Sequence, residues 1–95
     1  MQISHTSELA NGRRHYPIGR IRAAGQWRAA SASGARADRL TAMRELIREA
    51  EENGADAIVA LEFHIDDVKR AEIEGASSLL RIAVTGIAVK FAAAA

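Results

Sequence analysis

Glu62, His64 and Asp66 stand at alternate positions of the stretch Ala57-Ile-Val-Ala-Leu-Glu-Phe-His-Ile-Asp-Asp67. Carboxylates and imidazole ligate divalent metals. Together they suit Zn²⁺, Ni²⁺ or Mn²⁺ better than soft ions, which prefer thiolates. On a strand the three side chains leave from one face, about 6.5–7 Å apart per two-residue step. Adjacent pairs can share an ion. All three converge only with help from another strand or subunit. The plainer reading, which the sequence favours, is the wet side of a half-buried strand. A second set is Arg20, Arg22 and Arg28 around Trp27. An indole stacks on flat ligands such as a flavin or a base, and arginines attract anions or nucleic acid. The plainer and favoured reading of Trp27 is a hydrophobic plug over an open sheet face or at a subunit interface.

Other chemistry finds less support. The chain has no cysteine, which excludes disulfides, thiolate nucleophiles, zinc fingers and iron–sulfur ligation by its own residues. His5 and His15 read as surface residues, and Ser31, Ser33, Ser77 and Ser78 as linker residues. No G-x-S-x-G elbow, G-x-G-x-x-G or P-loop follows a strand. Catalysis is therefore not expected. The N-terminus lacks the apolar core of a signal peptide, and no apolar run approaches the roughly 18 residues of a membrane span. The expectation is a cytoplasmic protein with no membrane contact.

Three strands and one helix must position these residues. Tyr16–Ala23 reads as a short strand, with Pro17 confining it to a strand start or a sheet edge. Residues 24–36 are small and Ser/Gly-rich and read as a loop. Leu40, Met43, Ile47 and Ala50, widened by Leu46, recur at helical spacing and predict a helix over about 38–53. Asp38 is its expected N-cap, with an earlier start after Ser33 as the alternative, and Gly54 its C′ residue. The second strand follows at once, with Val59, Leu61, Phe63 and Ile65 on its apolar face. The third spans about Leu79–Phe91. Its apolar phase is Leu80, Ile82 and Val84 before Gly86, and Ile87, Val89 and Phe91 after it. That change of parity predicts a β-bulge or bend near Thr85-Gly86. Residues 1–14, with a turn at Asn11-Gly12, and residues 92–95 are expected to lie outside the ordered core.

The fold class is α+β: a β-α-β-β chain with one helix on a small, mainly antiparallel sheet. At 95 residues it makes one domain. Much of its 48% of hydrophobic residues is alanine, so the core is thin, and one helix leaves a sheet face and two edges uncovered. Association with copies of itself would cover them. Residues 1–48 carry nine arginines against three acids, and residues 49–95 nine acids against four basic residues. This asymmetry suits a basic face for an anionic partner, or complementarity within the fold or between subunits. The basic residues are dispersed, which favours the second.

Two blocks, Ala50-Glu-Glu-Asn-Gly-Ala-Asp-Ala-Ile-Val-Ala-Leu61 and Leu80-Arg-Ile-Ala-Val-Thr-Gly-Ile-Ala-Val-Lys90, occur in this order with a weaker third, Glu8-Leu9 to Gly12 followed by Ile18-Gly-Arg-Ile21. Together they resemble the YbjQ-like family, often called the "putative heavy-metal-binding domain", over most of the chain. The resemblance implies a dodecin-like subunit fold and a ring-shaped homo-oligomer, a pentamer among known relatives. It implies no catalytic motif. Family members commonly carry a longer segment where this chain has 24–36 with Trp27. The resulting expectation is a small homo-oligomeric binding or assembly module for a divalent metal ion or small molecule. The alternative is anion or nucleic-acid binding through Arg20, Arg22, Trp27 and Arg28, with nucleic acid the weaker of the two.

Overall fold

One face of the helix decides where the core lies. Ala42, Leu46 and Ala50 recur every four residues and are fully buried, with Met43 and Ile47 packed at their flanks. In the computed structural model, which describes residues 1–29, 34–69 and 78–93, this helix (α1) spans Ala35–Glu52. Leu40, expected in the stripe, is instead 53% exposed. Small alanines let the helix approach the sheet closely, so the stripe runs through Ala42 rather than Leu40. The C-terminus closes as a Schellman motif. Ala55 N–H donates to Ala50 O, and Gly54 N–H to Glu51 O, with Gly54 at φ 73° as its position requires. At the N-terminus the earlier start holds, and Asp38 is not the cap. Gly34 is the cap residue, at φ 116°, and Asp38 sits inside the first turn, buried.

The sheet has five strands: β1 (Gln2–Ile3), β2 (His15–Ala24), β3 (Arg28–Ala29), β4 (Ala57–Lys69) and β5 (Ser78–Phe91). The order across the sheet is β1-β4-β5-β2, with β3 continuing along β5 beyond the end of β2. Only β1 and β4 pair in parallel; the other pairs are antiparallel. The chain is thus α+β, as the alternation of its apolar residues implied. Residues 24–36 are more than a loop, since they hold β3 and the first turn of α1. The N-terminal residues, expected outside the core, are part of it. β1 extends the sheet, and Leu9 is 4% exposed.

The irregularity expected in β5 lies in its neighbours instead, in β4 and, between Pro17 and Gly19, in β2. β5 keeps one parity throughout. β4 carries a bulge between Val59 and Glu62, with Ala60 at φ 53°. An extra residue turns every later side chain to the other face. Ile58 and Leu61 therefore pack under α1, while Val59 packs on the opposite face with Leu9, Ala57 and Val89. This corrects the expectation that Val59 and Leu61 share a face. The bulge leaves no orphan donors. Ala60 N–H reaches Thr6 O at 2.8 Å, and Leu61 N–H reaches Ser4 O at 3.1 Å. The two apolar phases of β5 are likewise two cores: Val84 and Ala88 under α1, Val89 with Ile87 and Phe91 under Leu9. Asp56 locks the helix-to-strand turn, its Oδ2 accepting from Phe91 N–H at 2.8 Å.

Helix α1 lies mainly over β5 and β2 and reaches β4 through Ile58, Leu61 and Phe63. On the opposite face the Leu9 cluster covers only the half of the sheet near Ala57 and Val89. The other half of that face carries polar side chains.

Candidate functional site

The uncovered half-face is built by three strands. Behind the Ala60 bulge, Glu62, His64 and Asp66 of β4 stand directly opposite Thr85, Ala83 and Arg81 of β5. On the far side of β5, Arg20 and Arg22 of β2 pair with Ile87 and Thr85. Sequence reasoning placed the β4 triad and the β2 arginines, and the sheet brings them onto one face. It missed Arg81 and Thr85, whose signal was their position at alternate, out-of-phase places in the third strand.

Asp66 is the centre of an ion-pair network. Its Oδ2 accepts from Arg81 Nε at 2.8 Å and from Arg22 Nη2 at 2.6 Å. Ala83, opposite both His64 and Ala24, is small enough for Arg22 to reach across β5. The Arg81 hydrogen bond, with the charges of Arg22 and Arg81, holds the Asp66 carboxyl below its ordinary range against some desolvation. Arg81 in turn lies over the Trp27 ring, 4.5 Å from its centroid. Trp27 is 41% exposed and so carries a cation on one side and solvent on the other.

His64 and Glu62 form a separate pair. His64 Nε2 is 3.0 Å from Thr85 Oγ1 and 3.7 Å from Glu62 Oε2, and both side chains are exposed. A groove of about 690 Å³ runs beside them, lined by Arg20, Arg22, His64, Asp66 and Thr85 among others. A smaller hollow of about 190 Å³ joins Arg20, Glu62 and Thr85.

The expected arginine and tryptophan patch is dispersed. Arg28 leaves this face and binds the carboxylate of Asp38 at the start of α1 through Nε and Nη2. Arg22 is engaged by Asp66, and Trp27 by Arg81. Of the four residues, Arg20 alone is left without an ion-pair or cation–π partner among the described residues. Four residues that adjoin in sequence thus serve different partners, because β2 ends at Ala24 and β3 begins at Arg28.

The family profile described as "Putative heavy-metal-binding", of the YbjQ type, matches residues 21–92. The chain belongs to this family. The match takes in the end of β2, α1, β4 and β5, and so all of the polar half-face but Arg20. Among solved structures, the chain is similar to a protein of unknown function from Pediococcus pentosaceus that belongs to the DUF74 family. The two are 17% identical over 97% of this chain and 98% of that one, with a TM-score of 0.65. That likeness is one of fold. No curated protein matches the chain.

The family's description invites a test against the donors present. Soft heavy metals need thiolates, and the chain has none. No group of three His, Asp or Glu side chains gathers into a metal-ligand set among the described residues. Glu62, His64 and Asp66 share a face, but Asp66 is turned to two guanidinium groups. One chain therefore offers His64 and Glu62 as a pair of donors, short of a complete site.

Proposed function

We propose that this protein is a subunit of a homo-oligomer, a pentamer in the cytoplasm, that binds a divalent metal ion on the polar half-face of its sheet. It has no catalytic chemistry of its own. The observation that carries the reading is the pair formed by His64 Nε2 and Glu62 Oε2, 3.7 Å apart and open to solvent, in a family described as heavy-metal-binding. An imidazole and a carboxylate select Zn²⁺, Ni²⁺ or Mn²⁺ over Hg²⁺ or Cd²⁺. The remaining ligand positions fall to water or to another copy. Thr85 Oγ1, 3.0 Å from His64 Nε2, would have to release that nitrogen for it to hold a metal ion. Isothermal titration with Zn²⁺ and Ni²⁺ tests the reading. Saturable binding that is lost in His64→Ala and weakened in Glu62→Gln supports it. Equal binding by the parent chain and both variants refutes it.

A further inference from the structure

Both edges of the sheet are open among the described residues, and their backbone geometry can be read strand by strand. On β4, Leu61 N–H points outward, to Ser4 O. Backbone groups alternate along a strand, so Phe63, Ile65 and Asp67 also point outward, and Glu62, His64 and Asp66 bond inward to β5. No backbone group is bonded to the outer side of β4 beyond Leu61 among the described residues. On β2, Gly25 N–H donates inward to Ile82 O. The same alternation turns Ala23 and Ile21 inward, and Arg20, Arg22 and Ala24 outward.

We propose that the outer edge of β4 beyond Leu61 pairs, in parallel, with the outer edge of β2 from a second copy. This rests on the homo-oligomer reading above and names its contact surface. Four features fit. In parallel pairing an outward residue lies opposite an inward one. Phe63 and Ile65 then lie on the same face as the neighbour's Ile21 and Ala23, so both faces of the sheet run on without a flip. β4 and β2 are themselves parallel within one copy, because each is antiparallel to β5. A rotation that carries one copy onto the next therefore presents the required strand direction, and a head-to-tail contact of this kind forms a ring when its rotation closes.

The third feature is charge. With Phe63 and Ile65 opposite Ile21 and Ala23, the pairing sets Glu62 opposite the neighbour's Arg20, the one arginine of that face without an ion-pair partner among the described residues, while Asp66 and Arg22 keep their bond within each copy. Joining β4 to β4, or β2 to β2, would set like charges together, which is unfavourable. The fourth is the position of α1. It is offset toward β2: it covers Ile58, Leu61 and Phe63 of β4 but leaves the strand bare on that face beyond them, with Ile65 71% exposed. The neighbour's helix, lying over its own β2, stands beside that bare strip.

Light scattering at micromolar protein tests the contact with three kinds of variant. Ile65→Pro removes an outward N–H while leaving the inward ladder to β5, and proline is accepted on edge strands. The parent chain is expected to be oligomeric, and Ile65→Pro to shift to monomer with its helical circular dichroism retained. Glu62→Arg and Arg20→Glu are each expected to weaken assembly at low salt, and the double reversal in one chain to restore it. Should Ile65→Pro not fold, the charge reversals decide. A parent oligomer that persists at full mass through Ile65→Pro, or if that fails to fold through both single reversals, overturns the edge contact and leaves the homo-oligomer reading standing. A monomeric parent overturns both.

Discussion

Arg28 and Asp38 meet between β3 and the first turn of α1, with Arg28 Nη2 2.8 Å from Asp38 Oδ1 and Nε bonded to the second oxygen. A two-point bond of this kind fixes orientation as well as distance. The room for it comes from two glycines. A Cβ at Gly25 would stand 3.2 Å from Asp38 Cβ, and one at Gly34 would stand 3.1 Å from the Arg28 guanidinium carbon.

The pair predicts an acid limb of stability. Hydrogen bonding by Arg28, with its charge, lowers the Asp38 carboxyl pKa. A lowered folded pKa contributes stability that is present above the unfolded value, about 3.9, and is lost as pH falls through the folded one. Asp66 has the same sign. Urea midpoints are expected to fall on acidification below about pH 4. Asp38→Asn should be less stable than the parent at neutral pH and lose less between neutral pH and about pH 2.5.

The helix stripe predicts a contrast between two leucines. Leu46 is fully buried and Leu40 is 53% exposed. Leu46→Ala is expected to cost about 2–5 kcal/mol, and Leu40→Ala to stay within about 0.5 kcal/mol in the isolated subunit. Chemical denaturation of the two variants, at concentrations where their association states match, measures the difference.

Close approach at Gly86 predicts a third effect. A Cβ there would stand 2.6 Å from Ile58 Cγ2, with Leu46 Cδ2 next. Ile58 and Leu46 are both fully buried and have no room to yield. Gly86→Ala is expected to destabilise by about 1–3 kcal/mol through overpacking. Gly19→Ala, where nothing lies within 4 Å of the added Cβ, serves as the control and should be near neutral. Thermal melts of the pair separate the steric effect from the loss of glycine itself.

Regular periodicity carried the fold. The α1 stripe from Met43 to Ala50, Gly54 as the C′ residue and the order of the helix and the three long strands follow from short-range chemistry and are as read; Leu40 and the two-residue strands β1 and β3 are not. What the sequence hid is what depends on distant partners. Ala60 has no residue type that favours φ 53°. Its bulge is held by Thr6 and Ser4, more than fifty positions away, and so the face of Val59 could not be read from alternation alone. Leu9 looked like an isolated apolar residue in a polar tail, and only the sheet shows the cluster it covers. In the site, Glu62, His64 and Asp66 were legible as one face. Their division into an ion-pair network and a donor pair was not, because Arg81 and Arg22 come from two other strands. Arg28 was read with its chain neighbours, whereas it binds Asp38, ten residues on in a different element.

Native mass spectrometry of the protein, purified without chelator and exchanged into Zn²⁺, tests the central claim most directly. A closed oligomer with added metal mass is expected, the metal mass disappearing in His64→Ala while the assembly remains. A bare monomer, or an oligomer with no metal mass or with mass unaffected by His64→Ala, contradicts it.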